Sequence, residues 1–229
     1  MNPDVLAFGL VWYVVFLLSL TCHEAAHAWV AKLGGDPTAY EGGQVTLNPI
    51  PHIRREPFGT ILAPLITFVA SGWMMGWASA PYDPYWRQRH PRRAAWMALA
   101  GPAANFLLAV AAAIGIRIGL AVGVFAMPQT LRFSQMAQAA TPGAAEGAAV
   151  FLSILFSLNV MLGSFNLLPL PPLDGHTGVG LLLSDKAANR FAALTSGSML
   201  SLIGIVVAWR VFDEISGYVF RIALTLLYW

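Results

Sequence analysis

The chain has 229 residues, of which 57 % are hydrophobic and only 10 % charged, with a formal net charge of +2. A soluble domain usually carries about a quarter charged residues, so this composition excludes most water-soluble classes. The small net charge, with no basic cluster interleaved with aromatics, argues against nucleic acid as a partner, and the single cysteine, Cys22, excludes an internal disulfide or a multi-cysteine metal cluster.

Five uncharged runs, 5–22, 57–82, 94–116, 147–173 and 191–209, each reach 18 residues or more. Runs of that length can cross a hydrocarbon core of about 30 Å. With their short connections they use nearly the whole chain, which predicts an all-α polytopic membrane protein folded as one domain over 1–229. The first run opens on Asp4 rather than a basic segment and reads as a retained span, not a signal peptide.

Residues 5–33 read as one helix, apolar to His23 and amphipathic from there to Lys32, with Gly34 and Gly35 as its stop. Residues 36–58 are rich in Gly, Pro, Thr and Asn, and the alternating piece 43–47 is a candidate strand. The run 57–82 is punctuated by Pro57, Gly59, Pro64, Gly72, Gly76 and Pro81, so no continuous helix is expected. Residues 71–80 suggest an extended return limb. Its free backbone groups, with the Met75 and Trp77 amides on one face, could pair with an unwound substrate as an added strand; the plain alternative is a broken helix that packs on the first span. The loop 83–93 carries Arg87, Arg89, Arg92 and Arg93. A helix follows from 94 to about 121, and then a small-residue loop over 122–147. A further span over 148–168 leads into the proline-rich stretch from Asn166 to His176. The last clear span covers about 191–210, and the short apolar piece 215–229 is left to cross, lie in the interface or pack on the bundle.

Chemistry concentrates in two places. His23-Glu24-Ala25-Ala26-His27 puts two imidazoles one turn apart on one helical face, where they can grip one metal ion. Glu24 lies beside them, placed to take a proton from a water at that metal. The plain alternative is a structural cluster bonding neighbouring helices. Two histidines leave a catalytic zinc one ligand short. Asp174, ending a 27-residue uncharged run (147–173) and braced by Pro169, Pro171 and Pro172, is the candidate third ligand, against an interfacial Asp-Gly turn. Non-helical backbone at membrane depth must be buried in protein or line a wet cavity. Cys22 reads as a buried thiol.

His-Glu-Ala-Ala-His at 23–27, Gly-Pro-Ala-Ala-Asn at 101–105 and Asn-Leu-Leu-Pro-Leu-Pro-Pro-Leu-Asp-Gly at 166–175 together resemble the site-2 protease family of intramembrane zinc metalloproteases, over roughly residues 10–185. The resemblance implies one zinc ion held by His23, His27 and Asp174, with Glu24 as general base. It implies that Asn166 helps hold the substrate or the oxyanion, and Asn105 is a candidate supporting residue behind the ligands. The substrates implied are transmembrane segments of other proteins, cleaved within the bilayer in regulated intramembrane proteolysis. The catalytic core would cover about 5–183 and the C-terminal helices about 188–229. Two departures stand out: no inserted PDZ-like or CBS-like domain, and His176 where a small residue commonly follows the glycine. His176 is open to a supporting role, an alternative ligand role or a surface role; His52 and His90 read as bland loop residues.

Topology follows from the chemistry. Val5 to His23 is roughly 27 Å of helix, so the metal lies near the far end of the first span, and Asp174 lies at the end of its own. Both must reach one depth, so these spans run in the same direction. A fully crossing 57–82 would make them antiparallel, whereas a re-entrant 57–82 makes them parallel. The re-entrant reading also puts Lys32, Arg54, Arg55, Arg87, Arg89, Arg92 and Arg93 on one side and Arg132 on the other. The positive-inside rule then turns the site towards the cytoplasm, as expected in a prokaryotic cell membrane. Two other classes compete: a metal-ion transporter using the same ligands as a transit site, and an inactive scaffold that binds transmembrane helices.

Overall fold

A computed structural model describes residues 3–229. In chain order its helices are α1 (Pro3–Leu33), α2 (Thr38–Glu41), α3 (Pro49–Arg55), α4 (Ala63–Ser71), α5 (Pro84–Arg89), α6 (Pro91–Ala121), α7 (Ala144–Asn166), α8 (Asp174–Gly178), α9 (Asp185–Leu194) and α10 (Ser198–Tyr228). Among the described residues three helices, α1, α6 and α7, are each long and apolar enough to cross a membrane. The all-α polytopic expectation holds.

The three spans pack through small side chains. On α6 the buried positions Ala94, Ala98, Gly101, Asn105, Ala109, Ala112, Ile116 and Gly119 recur every three or four residues and form one stripe. In lipid there is little hydrophobic gain in joining two apolar helices, so close approach of small residues supplies the contact energy. The levels of contact give the directions. His27 meets Met97 and His23 meets Asn105 on α6, Asn105 meets Asn159, Asn159 meets Ser19, and Asp174, beyond the end of α7, meets His23 and His27. So α1 and α7 run parallel towards one end and α6 runs against both, as the chemistry required.

The segment after α3 goes in and comes back. A π-helical turn (Phe58–Leu62) leads into α4, and together they form an apolar helix of about 21 Å. That helix is too short to count as a full span. It ends at Gly72, whose φ of +77° closes it in the left-handed region. The chain then returns without helix, and Trp77 N–H donates to Gly59 O at 3.2 Å, tying the returning limb to the outgoing one. A Cβ on Gly59 would strike Trp77 O, and one on Gly76 would strike Gly59 O, so both glycines are needed for the limbs to touch. Phe8 packs on Phe68 near the hairpin tip, with ring centroids 6.1 Å apart. The mouth is clamped to the end of α1, where buried Asp36 accepts from Asp83 N at 2.8 Å.

Two expectations are corrected in position. The alternating piece 43–47 forms no strand. Gln44 N bonds back to Ala39 O at 2.9 Å, and Asn48 caps α3 by accepting from Ile50 N at 3.0 Å. Alternation without a partner strand leaves backbone groups to find turns and caps instead. The β content of the described residues lies instead in the 122–147 loop, where β1 (Phe125–Ala126) pairs antiparallel with β2 (Gln138–Ala139). The second correction concerns the C-terminus. Residues 185–194 form α9, and 198–228 form one unbroken α10 bent 93° away from it at Gly197 (φ +124°). Arg210, Asp213 and Glu214 interrupt the apolar run but do not break a helix, so 215–229 is not a separate piece.

Candidate metal centre

His23 and His27 share a face of α1, and their Nε2 atoms stand 3.0 Å apart. Asp174 opens α8 and reaches both: Oδ2 is 3.1 Å from His23 Nε2, and Oδ1 is 3.3 Å from His27 Nε2. The stretch that delivers it is not helical. Leu170 N bonds to Leu168 O and Leu173 N to Leu170 O, and Pro169, Pro171 and Pro172 donate nothing. Gly175 lets this loop fold down on the end of α7, since a Cβ there would collide with Leu167 O.

The outer nitrogens of both imidazoles are committed. His27 Nδ1 lies 2.8 Å from Met97 O, a carbonyl that can only accept, so the proton sits on Nδ1 and the lone pair on Nε2. Met97 lies in the turn of α6 before Pro102, which has no N–H to offer Ala98 O. His23 Nδ1 lies 2.6 Å from Asn105 Oδ1. Two imidazole lone pairs thus face each other, and beside them Asp174 Oδ2 is buried without a hydrogen-bond donor. That donor set suits a cation. Ligand atoms around a tetrahedral zinc at about 2.0–2.1 Å stand about 3.3 Å apart, and the separations here are of that size: 3.0 Å between the two Nε2 atoms, 3.1 Å from His23 Nε2 to Asp174 Oδ2 and 3.3 Å from His27 Nε2 to Asp174 Oδ1. Gly101 keeps the space beside the two Nε2 atoms clear, for a Cβ there would overlap both rings.

Glu24 is 4 % exposed, and one of its oxygens lies within 4.8 Å of ligand atoms of His23 and His27. By proximity alone it competes with Asp174 as third donor. Asp174 touches both Nε2 atoms, whereas Glu24 has no hydrogen bond to either ring among the described residues. One Asn166 amide hydrogen is used within α7, where Nδ2 donates to Leu162 O at 3.0 Å. His176 is bonded elsewhere. The Thr195 hydroxyl donates to Phe191 O at 2.7 Å, so its oxygen accepts from His176 Nε2–H at 2.7 Å. Burial, and then the Arg87 charge, hold the His176 imidazole below its ordinary pKa. His176 therefore ties the Asp174 segment to α9 rather than joining the donor set. Buried His52 reaches Thr46 O at 3.2 Å, and His90 lies beside the Trp86 ring.

Residues with no role assigned from sequence also build this centre. Asn159 accepts from Asn105 Nδ2 at 2.8 Å, and Gly101 supplies the clearance. The only hint for Asn159 was a carboxamide inside an apolar run. The return limb corrects another expectation. Met75 N already donates to Thr67 Oγ1 at 2.9 Å and Trp77 N to Gly59 O at 3.2 Å, so the face that those amides share is turned to the protein's own helix.

A family model described as Peptidase family M50 matches residues 11–211. YwhC of Bacillus subtilis, named as a zinc metalloprotease, is 37 % identical over 164 residues, covering 71 % of this chain and 64 % of its own length. Rip2 of Mycolicibacterium smegmatis, also named as a zinc metalloprotease, is 26 % identical over 192 residues, covering 84 % of this chain and 64 % of its own. The chain thus spans about 64 % of the length of the curated relatives it matches. No solved structure gives a significant match.

Proposed function

The chain belongs to peptidase family M50, the site-2 protease family, and from that premise we propose that it is a membrane-embedded zinc metalloprotease cutting peptide bonds in or near transmembrane segments. The observation that supports this best is the meeting of two imidazole lone pairs with an orphaned carboxylate oxygen at the buried end of α1. We assign His23, His27 and Asp174 to the metal. Zinc bound there supplies Lewis acidity to the scissile carbonyl and to the attacking water.

The chain's own groups do the rest. Glu24 accepts a proton from the attacking water and hands it to the leaving amine. Asn105 Oδ1 and Met97 O keep both imidazoles turned with Nε2 inward. Asn166 uses one amide N–H on Leu162 O and has a second to offer the substrate carbonyl. The substrate helix must unwind first, since its amides are shielded by i to i−4 bonds.

A transit path for metal ions would need further ligands along the helices. Among the described residues, the buried polar side chains of α1, α6 and α7 apart from His23, Glu24 and His27 are Ser19, Thr21, Asn105, Ser153, Ser157 and Asn159, none of them a carboxylate or an imidazole. The test is incubation of purified protein with a panel of single-span proteins. We expect cleavage that a chelator stops and added zinc restores; chelator-insensitive cleavage, or metal uptake into vesicles without cleavage, contradicts the reading.

We place the site towards the cytoplasm, on the side where Arg93 reaches Gly34 O and Arg55 reaches Ser79 Oγ. With Cys22 replaced, single cysteines at the exposed positions Gln88 and Gln129 should label from opposite faces, Gln88 from the cytoplasm. Labelling from one face would mean that 57–82 crosses.

A further inference from the structure

We infer that Asn159 is a positioning residue for His23, acting through Asn105 from a third helix. The inference deepens the metalloprotease reading, because His23 Nε2 is an atom assigned to the metal, but the chain of hydrogen bonds is a property of the protein alone.

Some groups in this chain of hydrogen bonds cannot change role. Leu155 O is a backbone carbonyl and only accepts; Asn159 Nδ2 lies 2.8 Å from it, which fixes the amino side of that carboxamide. Ser19 gives its hydroxyl proton to Val15 O at 2.8 Å, so its Oγ is free to accept from the same Asn159 Nδ2, also at 2.8 Å. Asn159 must therefore present Oδ1 on its other side. Asn105 Nδ2 meets that oxygen at 2.8 Å and Ser19 O at 3.5 Å. The Asn105 carboxamide can then show only Oδ1 to His23, and at 2.6 Å that oxygen requires the proton on His23 Nδ1. The lone pair is left on Nε2.

Ser19, Asn105 and Asn159 are each 0 % exposed and His23 is 6 % exposed, so water has little room to stand in for a missing partner. Turning either carboxamide over would set donor against donor or acceptor against acceptor in a dry core, which is costly. The two histidines are thus held by different means. His27 rests on a backbone carbonyl of α6. His23 depends on a relay through α6 and α7 that returns to α1.

The direct test reads tautomers in the metal-free protein, by long-range proton–nitrogen spectra of chain labelled with nitrogen-15 histidine. Wild type should show His23 as a single Nδ1–H form. Asn159→Leu, close in size but without donor or acceptor, frees the Asn105 amide to turn, and His23 should become a mixture with Nε2–H. Apparent zinc affinity, measured by chelator competition, should weaken by about 10- to 100-fold, the usual cost of losing an outer partner of a ligating histidine. Asn159→Asp should rescue both readings. Protonated in this core, it keeps an oxygen for Asn105 and an O–H for Leu155 O. Should Asn159→Leu fail to fold, Asn159→Ala is read in the same way. An unchanged tautomer in the apolar variant, or failure of Asn159→Asp to rescue, overturns the inference. If the chain binds no zinc, the metalloprotease reading fails, yet the tautomer spectra still decide the role of Asn159.

Discussion

Glu24→Gln is expected to lower cleavage of a susceptible single-span substrate by about 10²- to 10⁴-fold, the range that a positioned acid–base group contributes. Glutamine keeps the size of the side chain and its hydrogen-bonding reach but has no basic oxygen. The proton of the attacking water then has nowhere to go, and the leaving amine departs unprotonated. Because Glu24 has no hydrogen bond to either imidazole and Asp174 does the touching, the variant should keep the fold and the metal. Cleavage at the wild-type rate would remove Glu24 from the mechanism.

Gly101→Ala is the second large effect. A Cβ at 101 would lie against Nε2 of both His23 and His27, closer than real carbon contacts allow, and neither ring can retreat because both Nδ1 atoms are bonded behind them. Displacing ligand atoms by about 1 Å typically costs about 10²-fold in rate, so cleavage and zinc affinity should both fall by about that factor. Thermal stability should fall as well, since overpacking a buried site costs about 1–3 kcal/mol and alanine regains only about 1 kcal/mol over glycine inside a helix. A stable Gly101→Ala protein with normal cleavage and normal zinc affinity would show that the space beside the imidazoles is not used.

The parts of this site that could be read from sequence are those whose geometry is local. A spacing of four on one helix puts His23 and His27 together whatever surrounds them, and the prolines before Asp174 forbid a helix whatever they pack on. The re-entrant path of 57–82 was also readable, because a parallel arrangement of α1 and α7 is the only one that lets Asp174 reach α1. What was not legible depends on meetings between distant segments. Asn159 and Ser19 are 140 residues apart, and nothing in either neighbourhood marks them as partners. Gly101 stands out in sequence only as the start of a motif, and its purpose shows once the rings it clears are in place. The direction of the Met75 and Trp77 amides was set by Thr67 and Gly59, not by the limb's own composition. In α10 the charges at Arg210, Asp213 and Glu214 looked like an end of a span, although a helix can carry charge through to Tyr228.

Elemental analysis of purified wild type, Glu24→Gln and Asp174→Ala side by side decides whether His23, His27 and Asp174 hold one zinc while Glu24 stands outside the ligand set. One zinc per chain is expected in the first two proteins and loss of the metal in the third, with all three folded. Zinc retained in full by Asp174→Ala, or lost from Glu24→Gln, would contradict that ligand set.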